Sequence, residues 1–99
     1  MKEDIMKLLK VGRNNAMTGY RLSRLLGISD GATSYHVRHA IRELIDDGAL
    51  IGSCRYGFYI IESQDEITSA VGDLKSRAFS ILERSNRLLL NWKQREAVL

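Results

Sequence analysis

Residues 33 to 48 read TSYHVRHAIRELIDDG, and the fold turns on how this run is taken. Val37, Ile41, Leu44 and Ile45 recur at helical spacing and form one apolar stripe, so the run is a helix. Thr33 stands four residues before Val37 and is the expected N-cap, with Gly48 as the C-terminal cap. A start one turn earlier, at Ser29 or Asp30, also fits. The polar residues are unevenly ordered: Tyr35, His36, Arg38, His39 and Arg42 come first, and Glu43, Asp46 and Asp47 follow. A helix dipole favours acids in the first turn and bases in the last, each worth about 0.3–1 kcal/mol, so this order opposes the local electrostatics. Something outside the helix must require it.

Upstream, Met1, Ile5, Leu8 and Leu9 keep helical spacing, and Gly12, Asn14 and Asn15 end the run, which predicts a first helix of about three turns to Val11. Ala16 and Met17 form a short extended link. Thr18 is a plausible N-cap for a second helix with a buried stripe of Leu22, Leu25 and Leu26, stopped by Gly27. GISDGA, residues 27 to 32, has the glycines and short polar residues of a turn. Downstream of Gly48, ALIGSC and GFYIIE are β-branched and aromatic runs separated by a reversal at RYG, which predicts a hairpin with a short tip.

The chain has 99 residues, one domain by length, with 44% hydrophobic and 27% charged residues, an ordinary globular composition. The net charge of +3 is unevenly spread. Between residues 12 and 42, Arg13, Arg21, Arg24, Arg38 and Arg42 face the single acid Asp30, giving +4 against −1 for the remainder. A local basic region suits a nucleic-acid partner. Cys54 is alone, so there is no intrachain disulfide, and nothing argues for an oxidising compartment. MKEDIMKLLK is not a signal peptide and no run approaches the roughly 20 apolar residues of a membrane span, so a cytoplasmic protein is expected.

The order helix, short strand, helix, turn, helix, hairpin has few solutions. Residues 1 to 62 resemble a winged-helix DNA-binding domain of the kind used by multidrug-resistance, arsenic-type and PadR-type regulators. The residues that carry the likeness are Thr33, Val37, Ile41, Leu44 and Gly48, then Leu50 and Ile51 entering the wing and GFYII closing it. The turn between the second and third helices is longer than the three or four residues of the compact motif. The resemblance implies a mainly α fold with a small β-hairpin wing, in which the front half of the third helix lies in the major groove of double-stranded DNA.

At 100° per residue, Tyr35, His39, Arg42 and Asp46 lie opposite the buried stripe, with Arg38 on one flank and His36 and Glu43 on the other. Arginine can bond guanine edges bidentately, and tyrosine and histidine can add polar and apolar contacts. On that reading the acids stand where the helix leaves the groove. Ser34, Tyr35, His36, Arg38, His39 and Arg42 are the candidate base-reading residues; Arg21, Arg24, Arg55 and Tyr56 are candidates for the phosphate backbone, with Arg13 a weaker one. The plain alternative is a solvated helix face. His36 and His39 could begin a metal site, but the further ligands are missing, so no metal or cofactor is expected, and no small-molecule effector is evident.

Residues 64 to 99 form the second unit, after a DNA-binding domain over residues 1 to 63. From Asp65 to Leu99 there is no proline, and Ile67, Val71, Leu74, Ala78, Ile81, Ser85, Leu88 and Trp92 follow a four-three alternation, a heptad stripe of about four repeats. Such a helix is about 50 Å long, more than the preceding 62 or so residues can cover. It is expected to pair with a second copy in a coiled-coil-like homodimer. The alternative is a helix folded back within one chain. Together these features predict sequence-specific double-stranded DNA binding by a homodimer, a transcriptional regulator. The alternatives are a protein-interaction module and a role in replication or DNA organisation. No nucleophile with a base at motif spacing, no paired acids in a glycine-rich setting and no phosphate loop point to an enzyme.

Overall fold

A computed structural model describes residues 1–29 and 34–98, with side chains in the last helix as far as residue 97. The chain is mainly helical. In order it forms α1 (Lys2–Leu8), a single 3-10 turn (Arg13–Asn15), α2 (Gly19–Leu25), α3 (Tyr35–Asp46), an antiparallel hairpin of β1 (Ile51–Cys54) and β2 (Gly57–Ile60), and α4 (Gln64–Val98).

α1 stops at Leu8 rather than running to Val11. Leu9 is already extended at φ −67°, ψ 137°, because the next residues are claimed by the hairpin. Ile60 N–H donates to the Lys10 carbonyl and Gly12 N–H to the Ile60 carbonyl, both at 2.9 Å. Met17 and Phe58 exchange two further bonds at 2.8 Å. The edge of β2 is thereby covered by two short pieces of chain, and the expected extended link at Met17 is present as a bridge to it.

Thr18 caps α2, its Oγ1 accepting from Arg21 N–H at 3.1 Å. Leu22 is fully buried and Leu26 half-buried, but Leu25 is 53% exposed, so the expected stripe is narrower by one residue. With only two turns, α2 has one buried line, filled by Leu22 and Ser23, whose Oγ donates to the Gly19 carbonyl. Ile28, beyond the helix, packs on the core instead.

The expected cap Thr33 lies outside the described residues. α3 begins at Tyr35, and Ser34 precedes it at φ 51° in the left-handed region. The helix closes as the C-terminal pattern anticipated: Gly48, at φ 108°, donates to the Ile45 carbonyl and Ala49 to the Leu44 carbonyl, satisfying the last turn. Its buried face differs from expectation. Val37, Ala40 and Ile41 are buried and Leu44 half-buried, whereas Ile45 is 44% exposed. Ala40 takes the place expected of Ile45 because α1 and α2 both pack on α3, and a small side chain lets helices come close. The small rotation leaves Arg38, Arg42 and Ile45 on the side facing the hairpin.

Ile5, Leu9, Leu22, Val37, Ile41, Ile51 and Phe58 form one core in which every element before α4 takes part except the 3-10 turn. In the hairpin, Ile51 pairs with Ile60, Gly52 with Tyr59, Ser53 with Phe58 and Cys54 with Gly57, leaving Arg55 and Tyr56 at the tip. Burial pushes the Tyr59 phenol above its ordinary pKa.

α4 starts on a cap that the residues Ser63 and Glu66 build together. Ser63 Oγ accepts from Glu66 N–H at 3.2 Å, and the Glu66 carboxylate accepts from the N–H of Glu62 at 2.9 Å and of Arg13 at 2.8 Å. These bonds tie the start of α4 to the 3-10 turn. The N–H of Arg13, and then that of Glu62, hold the Glu66 carboxyl below the ordinary carboxylate range. A carboxyl depressed in the folded state stabilises above its unfolded pKa and loses that contribution as pH falls through the folded one. Glu66→Gln should therefore be less stable than wild type near pH 6, with the difference closing by about pH 3, as read by urea midpoints across that range. A difference independent of pH would assign the effect to packing instead.

Beyond residue 70 the residues of α4 are exposed, and only its next two turns, to Arg77, border the hairpin. Its 35 residues span about 52 Å and set the long dimension of a molecule measuring 58 × 35 × 23 Å. The single chain does not fold this helix back on itself.

Candidate functional site

The front of α3 carries a continuous aromatic and basic surface. Tyr35, His36, Arg38, His39 and Arg42 are all exposed. Tyr35 stacks on His39 with ring centroids 6.2 Å apart at 11°, and meets His36 edge-on at 5.5 Å. Two members of the outward row expected from the helical period, Tyr35 and His39, thus pack on each other, with Arg42 exposed beyond them. Ser34 does not belong to it. Only 1% exposed, Ser34 faces Gly19 of α2, where an added Cβ would approach its side chain to 3.0 Å. Its left-handed backbone turns the hydroxyl inward, so it is corrected from a surface contact to part of the α2–α3 junction.

The acidic rear of α3 has a partner that the sequence reading missed. Lys2 Nζ lies 2.7 Å from Glu43 and 3.6 Å from Asp47, and His39 Nε2 lies 2.8 Å from Glu43. Lys2 holds the Glu43 carboxyl below its ordinary range, and Glu43 pushes the Lys2 ammonium up. Two of the three acids of α3, Glu43 and Asp47, thus pair with α1. Asp46 makes no ion pair among the described residues.

Arg38 leans over the Phe58 ring at 5.4 Å, towards the hairpin. It lines a cleft with Arg42 and Ile45 of α3, Ser53 of β1, and Leu74 and Arg77 of α4. Arg55 at the hairpin tip stacks on its neighbour Tyr56 at 5.4 Å, and both are exposed. Tyr56 also borders a polar hollow with Lys10, Asn15, Thr18 and Arg21, so the start of α2 and the hairpin tip form one surface. Arg24 is exposed further along α2 and stacks on Tyr20 at 5.8 Å. Arg13, exposed, contributes its backbone to Glu66 rather than a side-chain contact.

Lys10 and Arg77 were not singled out in the sequence. Nothing local marks them, because each joins the surface only through the hairpin. Ser63 and Glu66 did carry a signal, the Ser-x-x-Glu spacing of a capping box.

Most of the heptad residues of α4 are exposed, and Leu74 borders the cleft against β1. Ile67 is half-buried, and Val71, Leu74, Ala78, Ile81, Ser85, Leu88 and Trp92 are exposed, Leu88 at 65% and Trp92 at 54%. Phe79, Leu82, Leu89 and Leu90 add to this apolar surface.

Comparison with protein families, curated proteins and solved structures finds no match to the chain. Among the described residues no group of acids, histidines and cysteine is arranged to hold a metal ion, and no helix is long and apolar enough to cross a membrane.

Proposed function

We propose that the chain is a winged-helix DNA-binding protein that acts as a homodimer, a transcriptional regulator in its simplest form. α3 is its recognition helix and the hairpin its wing. The observation that carries the reading is the coincidence of three exposed basic surfaces: Arg38 and Arg42 with Tyr35 and His39 on α3, Arg21 and Lys10 beside α2, and Arg55 with Tyr56 at the hairpin tip. A helix that inserts by its front end needs acids kept away from phosphates. Here Glu43 and Asp47 sit at the far end, where Lys2 offsets part of their charge.

The division of labour follows from chemistry. Arg42 stands on the outward row and can reach base edges, where a bidentate arginine–guanine pair discriminates by about 1–3 kcal/mol. Arg21, Lys10 and Arg55 flank it and suit phosphates, which position the protein without reading sequence. Selection of bound duplexes from a random pool, followed by salt titration, tests the proposal. Binding should weaken steeply with salt because phosphate contacts release counterions. A flat salt response would assign the surface to a protein partner instead.

Within this reading, Arg42→Ala and Arg38→Ala should each lower affinity for the selected site. The one that reads a base should lose about 1–3 kcal/mol and relax the preference at one position. Arg55→Ala, carried by both subunits, should weaken all duplexes alike and flatten the salt slope by about 1.8. Wild-type affinity for every duplex in both α3 variants would remove this face as the reading surface.

A further inference from the structure

We propose that the DNA-contacting surface continues from the hairpin onto α4, where Arg77 and Arg84 form a second phosphate-binding flank beside the pairing stripe. The proposal rests on the DNA reading above and extends it to residues which that reading does not use.

The path of α4 places Arg77. After the turn at residues 61 to 63, the helix runs along β1 towards the hairpin tip: Leu74 lies by Ile51 and Ser53, and one turn later Arg77 lies by Ser53 and Arg55. Arg77 therefore borders two hollows at once. One holds Arg38 and Arg42 of α3, the other Arg55 of the tip. Four guanidinium groups from three separate elements gather round the Ser53 corner of the hairpin. Among the described residues one acid lines these hollows, Asp73, in the one shared by Arg55 and Arg77. Neither Arg42 nor Arg77 has an ion pair among the described residues. Positive charges collected this way repel one another and raise the local potential, which an approaching phosphate relieves by charge-assisted, often bidentate bonds.

The helix period extends the flank. Seven residues on, Arg84 falls within about 20° of Arg77 and about 10 Å further along the axis. Both are exposed. From residue 74 to 97, six basic residues face two acids, so this half of α4 is positive although its purpose in pairing asks only for apolar residues. Arg77 and Arg84 lie about 70–90° round the helix from the centre of the apolar arc formed by Ile67, Val71, Ala78, Ile81, Leu88 and Trp92. A partner helix on that arc leaves the arginine flank open on the α3 side. Duplex DNA seated on α3 and the hairpin tip would then meet Arg77 next, and Arg84 one or two phosphates beyond.

The test uses the full chain and a duplex of about 40 base pairs carrying the selected site, with the slope of log affinity against log salt as readout. Each phosphate contact contributes about 0.9 to that slope, so Arg77→Gln in both subunits of a dimer should flatten it by about 1.8, and Arg77→Gln with Arg84→Gln by about 3.6. Arg77→Lys should restore most of the slope, and the preferred sequence should stay the same in all variants. Three results count against the proposal, and they are distinguishable. A wild-type chain with no salt-dependent binding removes the DNA reading beneath it. A steep wild-type slope that both glutamine variants keep removes the α4 flank alone. Variants that sediment as monomers assign Arg77 and Arg84 to the pairing interface.

Discussion

Gly57→Ala is expected to destabilise the chain by about 2–5 kcal/mol, a large share of the 5–15 kcal/mol that a domain of this size holds. Two effects add. Gly57 has φ 123°, a conformation L residues rarely adopt. An ideal Cβ there would lie 2.2 Å from the Met17 carbonyl oxygen and 2.5 Å from the Thr18 nitrogen. Both obstacles are backbone, and Met17 is held in place by its two bonds to Phe58, so neither can swing aside as a side chain would. Gly27→Ala is the control. It shares a positive φ, 72°, but an added Cβ meets nothing within 4 Å, so it isolates the conformational cost of about 1–2 kcal/mol. Urea midpoints by circular dichroism compare the two. Equal losses would mean that the Met17 bridge to β2 is absent in solution.

That bridge also marks the limit of what local pattern can tell. The hairpin, the C-terminal caps of α2 and α3 and the onset of α4 were legible because each depends on residues within a few positions: Gly27, Gly48, the reversal before Gly57, and the apolar period after residue 64. The end of α1 was not. Leu9 is buried whether the helix continues or stops, and what stops it is a bond from Ile60, about fifty residues away. The buried face of α3 fails for a related reason. Period alone ranks Ile45 above Ala40 by size, but α1 and α2 approach closely enough that the small residue goes inside.

The candidate surface divides in the same way. Tyr35, His39 and Arg42 could be placed outward from helical period, and they are exposed; Ser34, one residue upstream, could not be placed, because a left-handed residue before the first turn does not follow the period. The acids of α3 posed a correct question with an incomplete answer. Their order does oppose the helix dipole, and Lys2 of α1 supplies the compensation. Lys2, Lys10 and Arg77 find their neighbours only once separate elements have met.

The full-length chain is expected to sediment as a dimer at about ten micromolar, and Ile81→Asp with Leu88→Asp as a monomer. Both residues lie more than half exposed, in the part of α4 that contacts nothing in its own chain, so the substitutions leave the first 76 residues intact. In a paired helix the same positions face apolar neighbours, where an unpaired carboxylate costs far more than the lost methyl groups. Large side chains on this stripe contribute about 1.5–3 kcal/mol each when fully buried, and the stripe repeats over four heptads, enough for a stable pair even if burial is partial. Truncation should be made after Ser76 rather than Ser63, since Glu66 caps α4 onto Arg13, and Ala70 and Leu74 line the cleft against β1. A two-fold axis in the proposed dimer would relate two copies of α3, so the selected site should be an inverted repeat with half-sites one helical turn, or a multiple of it, apart. Losing the pair removes the second half-site from each binding event, and affinity for the repeat should fall by about 10²–10⁴-fold while affinity for a single half-site is unchanged. If the aspartate variant still sediments as a dimer, pairing lies elsewhere on the chain; if it is a monomer that binds the full repeat as tightly as wild type, α4 pairs but does not serve recognition.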